Sequence, residues 1–188
     1  MRLHIIRHGM TEANEKHLYC GHTDLPLSGQ GRNSLVALKE TLIYPTAAIH
    51  ITSGLTRTFE TLYILYERKP DLIIEEFKEM DFGDFEMKSY EDLKDEPAYQ
   101  HWINGGSSAT CPRGESRDGF KNRVTAGLNK LSCLNAESAI VVCHGGVIVS
   151  IMEQLFPTEK NFYEWQPGFG RGYTFDIYHG GATLVSEL

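Results

Sequence analysis

Four short segments carry side chains that could do chemistry together. They are Arg7-His8-Gly9, Ser53-Gly54-Leu55-Thr56-Arg57, Glu79-Met80-Asp81-Phe82-Gly83 and His144-Gly145-Gly146. A guanidinium holds phosphate oxygens with a planar fork of donors, and Arg7 and Arg57 supply two such forks. The N–H groups of Gly145 and Gly146 stand where a helix begins, a position that favours an anion. A neutral histidine can attack phosphorus and carry the phosphoryl group covalently, and His8 and His144 are the candidates. Flanking arginines favour the neutral ring, because nearby positive charge disfavours a second proton on it. The leaving oxygen also needs a proton. A carboxyl beside a bound phosphate anion holds its proton more readily, which makes Glu79 the candidate acid, with Asp81, Asp84 and Glu86 as nearby rivals.

Residues so far apart in sequence must be gathered by the fold. Residues 3–6 read as a short buried strand that ends at Arg7. Ser28 is placed to cap a helix over 31–42, with Leu35, Leu38 and Leu42 at helical spacing. Strands follow at 48–52, 72–74 and 139–143, and helices at 56–67, 120–131 and 146–155. The alternating runs 173–178 and 183–187, on either side of Gly180-Gly181, predict a final hairpin. Strands that alternate with helices imply an open, largely parallel sheet covered on both faces, with the hairpin adding an antiparallel edge. Ligands of such sheets bind beyond the carboxyl ends of the strands. All four chemical segments follow predicted strands, so they converge on one edge.

Residues 77–114 lack a single period and hold Gly, Pro and many aromatics. They read as loops and short helices inserted over the sheet of one domain spanning 1–188. Tyr99 and Trp102 among these aromatics are expected either to fill the insertion's core or to line a pocket for an aromatic or sugar-linked substrate.

The 188 residues include 41% hydrophobic and 23% charged, enough for a core without metal or disulfide staples. The net charge of −7 argues against a nucleic-acid partner, which needs many surface cations, but leaves a small anion open. No run approaches the ~20 apolar residues of a membrane helix. The apolar start is too short for a signal peptide. Cys20, Cys111, Cys133 and Cys143 are scattered and read as reduced thiols of a cytoplasmic protein. His4 and His8 would share a face of a helix as metal ligands, but the segment reads as strand, so no metal is expected.

Taken in order, the motifs resemble the histidine phosphatase superfamily, also called phosphoglycerate mutase-like. They are Leu3-His-Ile-Ile-Arg-His-Gly-Met-Thr-Glu-Ala-Asn14, Gly21-His-Thr-Asp-Leu-Pro-Leu-Ser-Gly-Gln-Gly31, Thr52-Ser-Gly-Leu-Thr-Arg-Thr-Phe-Glu-Thr61, Lys78-Glu-Met-Asp-Phe-Gly83, Pro112-Arg-Gly-Glu-Ser116 and Val142-Cys-His-Gly-Gly146. The resemblance implies a three-layer α/β/α sandwich and a phosphohistidine mechanism with neither metal nor other cofactor. It implies that His8 is the nucleophile and Glu79 the acid and later the base. Arg7, Arg57 and His144 then form the phosphate pocket, Asn14 helps to hold the phosphate, and Thr11 and Gly21 line the same loop. Glu115 and Ser116 match a motif near the pocket, in which Glu115 orients a neighbour. The chain departs from the family pattern at Met10, Gly54 and Met87, which bears on substrate more than on mechanism.

The implied activity is hydrolysis of a small phosphorylated metabolite. Residues 18–28 resemble the α-ribazole phosphatase branch. A cofactor-dependent phosphoglycerate mutase, a sugar-phosphate phosphatase and a non-catalytic phosphate sensor are the alternatives. The compact length, and Gly146 where mutases of the family usually have Asn, favour hydrolysis.

Overall fold

Residues 139–143, Ala-Ile-Val-Val-Cys, contain no charged or hydroxyl side chain, so a strand built from them must be covered on both faces. All five are fully buried in the computed structural model, which describes residues 1–157, 162–179 and 181–188. Its elements run β1 (Arg2–Arg7), α1 (Glu12–Glu15), α2 (Gly29–Thr41), β2 (Ile49–Thr52), α3 (Thr56–Tyr66) and β3 (Leu72–Ile73). They continue with α4 (Tyr90–Leu93), α5 (Pro97–Asn104), α6 (Arg117–Ser132), β4 (Ser138–Cys143), α7 (Gly145–Leu155), α8 (Phe162–Trp165), β5 (Gly172–Tyr178) and β6 (Gly181–Glu187).

The described strands form one sheet in the order β3-β2-β4-β1-β5-β6. β3, β2, β4 and β1 are mutually parallel. β5 runs antiparallel to β1, and β6 antiparallel to β5. The mostly parallel sheet with an antiparallel edge is therefore present. The pleat divides the core by alternation. Ile6, Ile140 and Val142 meet Leu35 of α2 and Leu62 and Leu65 of α3 on one face. Leu3, Ile5 and Val141 meet Val124 of α6 and Ile148 of α7 on the other. That is the α/β/α sandwich.

Boundaries differ from the sequence expectation mostly by one or two residues at each end, where helices and strands fray. Ser28 caps α2 by accepting the N–H of Gly31 at 3.0 Å, so that helix opens before the predicted position 31. Ile74 follows β3 rather than closing it, because the chain turns there into a 3-10 turn over Glu75–Phe77. The hairpin strands are longer than predicted, and Gly180, expected between them, lies outside the described residues.

The stretch 77–114 holds a second 3-10 turn (Gly83–Phe85), α4 and α5. Its Phe77, Phe85, Leu93, Tyr99 and Trp102 join the same apolar cluster as Leu3 and Val141 of the sheet. Tyr99 and Trp102 are only 2% and 5% exposed. They pack in the core, as the first of the two expectations has it. Among the described residues no helix is long and apolar enough to cross a membrane.

Candidate active site

Parallel pairing sets Arg7 opposite Cys143, so the next residues of each strand, His8 and His144, emerge side by side. The N–H of His8 donates to the Cys143 carbonyl at 2.9 Å, and the two imidazoles lie 5.0 Å apart at 62°. His8 is 5% exposed and His144 is fully buried.

The tautomer of His8 follows from its partner. Its Nδ1 lies 2.6 Å from the carbonyl oxygen of Gly9, which can only accept. The proton therefore sits on Nδ1 and the lone pair on Nε2. Gly9 is held in turn by its N–H, which donates to Thr61 Oγ1 of α3 at 2.9 Å. Burial pushes the His8 pKa well below its ordinary 6.5, and the charges of Arg57 and Arg7 push the same way against the Gly9 bond. His144 is lowered for similar reasons, burial first and then Arg57 and His8. Its Nε2 lies 2.8 Å from Ser53 Oγ, at the end of β2.

Neither arginine is paired with a carboxylate among the described residues. Arg57, 1% exposed in the first turn of α3, donates to the carbonyls of Gly21 at 2.6 Å and Thr23 at 3.0 Å. Arg7 donates to the Pro167 carbonyl at 2.8 Å and packs 4.0 Å from the ring centroid of Phe169, while its buried Nε has no partner among the described residues. Holding a buried cation, Arg57, and a half-buried one, Arg7, without a carboxylate in contact is costly, so this pair suits a small anion.

The carboxylates sort themselves by their partners. Glu79 accepts the N–H of Met80 through Oε1 and that of Gly146 through Oε2, both at 2.9 Å. A Cβ on Gly146 would come within 2.4 Å of the same carboxylate, so a side chain there would shift Glu79. The N–H of Gly146, expected to meet a bound anion, is thus already taken by Glu79. Gly145 remains for that role and packs against the Arg7 guanidinium. Glu86 spends both oxygens on backbone, accepting from Gly21, His22, Thr23 and Phe82 at 2.9 to 3.2 Å. Asp81 caps Gly83 and faces His22, and Asp84 pairs with Arg113. The rivals of Glu79 are structural.

Gly21 sits under this loop because any side chain there would run into the Met80 carbonyl. Thr11 is fully buried and caps α1, holding the loop rather than facing solvent. Asn14 Oδ1 accepts from the N–H and hydroxyl of Thr11, both at 3.0 Å, which leaves its Nδ2 as donor. Asn14 and Arg7 line a cavity of about 750 Å³ with Met10, Leu18, Gln166 and Phe169. A larger cavity of about 980 Å³, between α3 and β3, contains none of the candidate residues, so chemistry rather than size identifies the site. Glu115 meets Arg123 through both oxygens and Ser116 caps α6.

Sequence reasoning missed Ser53, Thr61, Arg123 and the 166–169 turn as site components. Ser53 and Thr61 lay inside a quoted motif. The 166–169 turn has no period, and Pro167 meets Arg7 across 160 residues, which no local signal reveals.

An α/β/α sandwich that sets two neutral histidines between two arginines without carboxylate partners, with a carboxylate opposite, is a phosphate-handling enzyme. Residues 3–186 match the histidine phosphatase superfamily (branch 1), and the chain belongs to that family. It is 36% identical to the adenosylcobalamin/alpha-ribazole phosphatase of Escherichia coli (strain K12) over 98% of this chain and 94% of that one. The alpha-ribazole phosphatase of Shigella flexneri superposes with a TM-score of 0.87 at 30% identity, over 100% of this chain and 96% of that one. A phosphoglycerate mutase from Thermus thermophilus reaches 0.76 at 27%, over 100% and 98%.

The loop that holds Arg57 can be tested through its anchor. Glu86→Ala should free the 20–24 loop that carries both Arg57 acceptors, costing about 1–3 kcal/mol of stability. Thermal melting and titration with inorganic phosphate should both show a loss; unchanged values of both would contradict this role. The histidines give a second expectation. His4, His8, His50 and His144 all have pKa values lowered from 6.5, burial being the first cause in each. The unfolded chain then binds more protons than the folded one below that value, so their contribution is complete above it and is lost on acidification. The melting temperature should fall between about pH 7 and about pH 5.5. A flat profile would contradict this.

Proposed function

We propose that the protein is a phosphomonoesterase acting on a small phosphorylated metabolite, with α-ribazole 5′-phosphate as its substrate. The observation that carries the reading is the free Nε2 of a buried, neutral His8 beside two arginines that have no carboxylate in ion-pair contact. His8 Nε2 attacks phosphorus in line, the bond to the leaving oxygen breaks, and Glu79 gives that oxygen its proton. Water then attacks the phosphohistidine while Glu79 takes a proton back, releasing inorganic phosphate and neutral His8. Arg7, Arg57, His144, Asn14 and the N–H of Gly145 hold the equatorial oxygens. Positive charge comes from the arginines, so the path needs no metal or cofactor.

The names of the Escherichia coli and Shigella flexneri relatives support the substrate. The cavity beside Arg7 also supports it. It is within the range of small-molecule sites and offers the Phe169 ring together with the amide of Gln166, which suits a ribosyl group bearing a flat base. Gly146, where mutases of the family usually have Asn, supports hydrolysis over mutase chemistry. We read the chain as one domain, 1–188, with the 77–114 segment as an insertion over the site. We place it in the cytoplasm, which its four free cysteines support, with a metabolite rather than nucleic acid as partner.

Phosphate release should be measured on α-ribazole 5′-phosphate, phosphoglycerates, sugar phosphates and p-nitrophenyl phosphate. The α-ribazole ester should give the highest kcat/KM. His8→Ala should lower kcat by roughly 10³-fold or more. Exchange of phosphoglycerate isomers without phosphate release, or full activity in His8→Ala, would refute the reading.

A further inference from the structure

Glu79 lies in a stretch with no helix or strand of its own, between the 3-10 turns Glu75–Phe77 and Gly83–Phe85. Such a stretch has no ladder of hydrogen bonds to set where a side chain points. A single guanidinium supplies what is missing. Arg123 NH1 donates to the carbonyls of Glu76 and Lys78, both at 2.9 Å, and NH2 donates to that of Glu79 at 3.0 Å. Its Nε and NH2 donate to the two oxygens of Glu115 at 2.7 Å each. These five bonds use all five donors of the side chain. Glu115 then grips the chain beyond Glu79: its Oε2 accepts the N–H of Asp81 at 3.0 Å, and its own N–H donates to the Asp81 carbonyl at 2.9 Å.

We propose that Arg123 is a positioning residue, which with Glu115 clamps the backbone on both sides of Glu79 and so sets where its carboxyl meets the leaving oxygen. The inference rests on the reading of Glu79 as the general acid. Arg123 has no donor left for the phosphate, so it acts through Glu79. It reaches the turn from α6, which lies close to it because Gly127 has no side chain: a Cβ there would come 2.7 Å from the Phe77 ring. Lysine could not replace it, having three donors on one atom and no planar fork.

The distinguishing readout is sensitivity to the leaving group. An alkyl phosphate needs a proton on its leaving oxygen, whereas p-nitrophenolate departs readily without one. Displacing a catalytic group by about 1 Å can cost on the order of 100-fold. In Arg123→Gln and Arg123→Lys, the ratio of kcat/KM for an alkyl phosphate to that for p-nitrophenyl phosphate should fall by about 10-fold to 100-fold. Vanadate binding, which reports the phosphate pocket, should weaken much less than that ratio. Glu79→Gln is assayed alongside. If Glu79→Gln leaves the ratio as in the native enzyme, the reading of Glu79 as acid fails. If Glu79→Gln collapses the ratio but both Arg123 variants lower the two substrates equally, the positioning role fails and Arg123 is only structural. Should Arg123→Gln not fold, Arg123→Lys, which keeps charge and stem, decides between the same two outcomes.

Discussion

The site depends on two guanidiniums, Arg57 buried and Arg7 half-buried, that have no carboxylate partner among the described residues. Arg7 and Arg57 lean on backbone carbonyls of Pro167, Gly21 and Thr23, which accept hydrogen bonds but carry no full charge. Burial first, then the charges of Arg57 and Arg7 at His8 and of Arg57 at His144, lower both pKa values and favour neutral rings. Neutrality alone would leave two tautomers of His8 available. The Gly9 carbonyl selects one of them, and Thr61 holds Gly9 in place. An incoming phosphate would thus meet both its counter-charge and an exposed lone pair in one place.

Much of this machinery stands on irregular chain. The sheet delivers His8 and His144 by register alone, but the 20–24 loop and the 76–81 stretch have no ladder to fix them. Each is held largely by a charged side chain that collects several backbone partners. Glu86 gathers N–H groups under the loop that carries the Arg57 acceptors. Arg123 gathers carbonyls around Glu79. Such charge-assisted bonds are stronger than neutral ones, and this suits them to segments that lack regular structure. The close approaches at Gly21 and Gly146 fit the same plan, since a side chain at either would push the loop or the carboxylate away.

The order of elements, the sheet type and the convergence of Arg7, His8, Arg57 and His144 were legible in the sequence, because each lies on or just after a strand with a clear apolar pattern; Glu79, between two 3-10 turns, was read through its motif. Residue type alone did not choose Glu79 over Glu86, since the two carboxylates differ only in what they meet in three dimensions; the family motif did. The N–H of Gly146 was assigned to an anion because a helix start predicts donors but not who uses them. Tyr99 and Trp102 could not be allotted between core and pocket in a stretch without a period. The 166–169 turn and Arg123 act through contacts with distant parts of the chain, which no spacing rule reports.

Everything above turns on whether His8, through Nε2, carries the phosphoryl group. Rapid quenching of the enzyme with ³²P-labelled substrate, followed by mapping of the labelled peptide and NMR of the modified ring, tests it directly. The expected result is an acid-labile, base-stable phosphoenzyme labelled on His8 at Nε2. Label on His144, or turnover with no phosphoenzyme at any quench time, would contradict it.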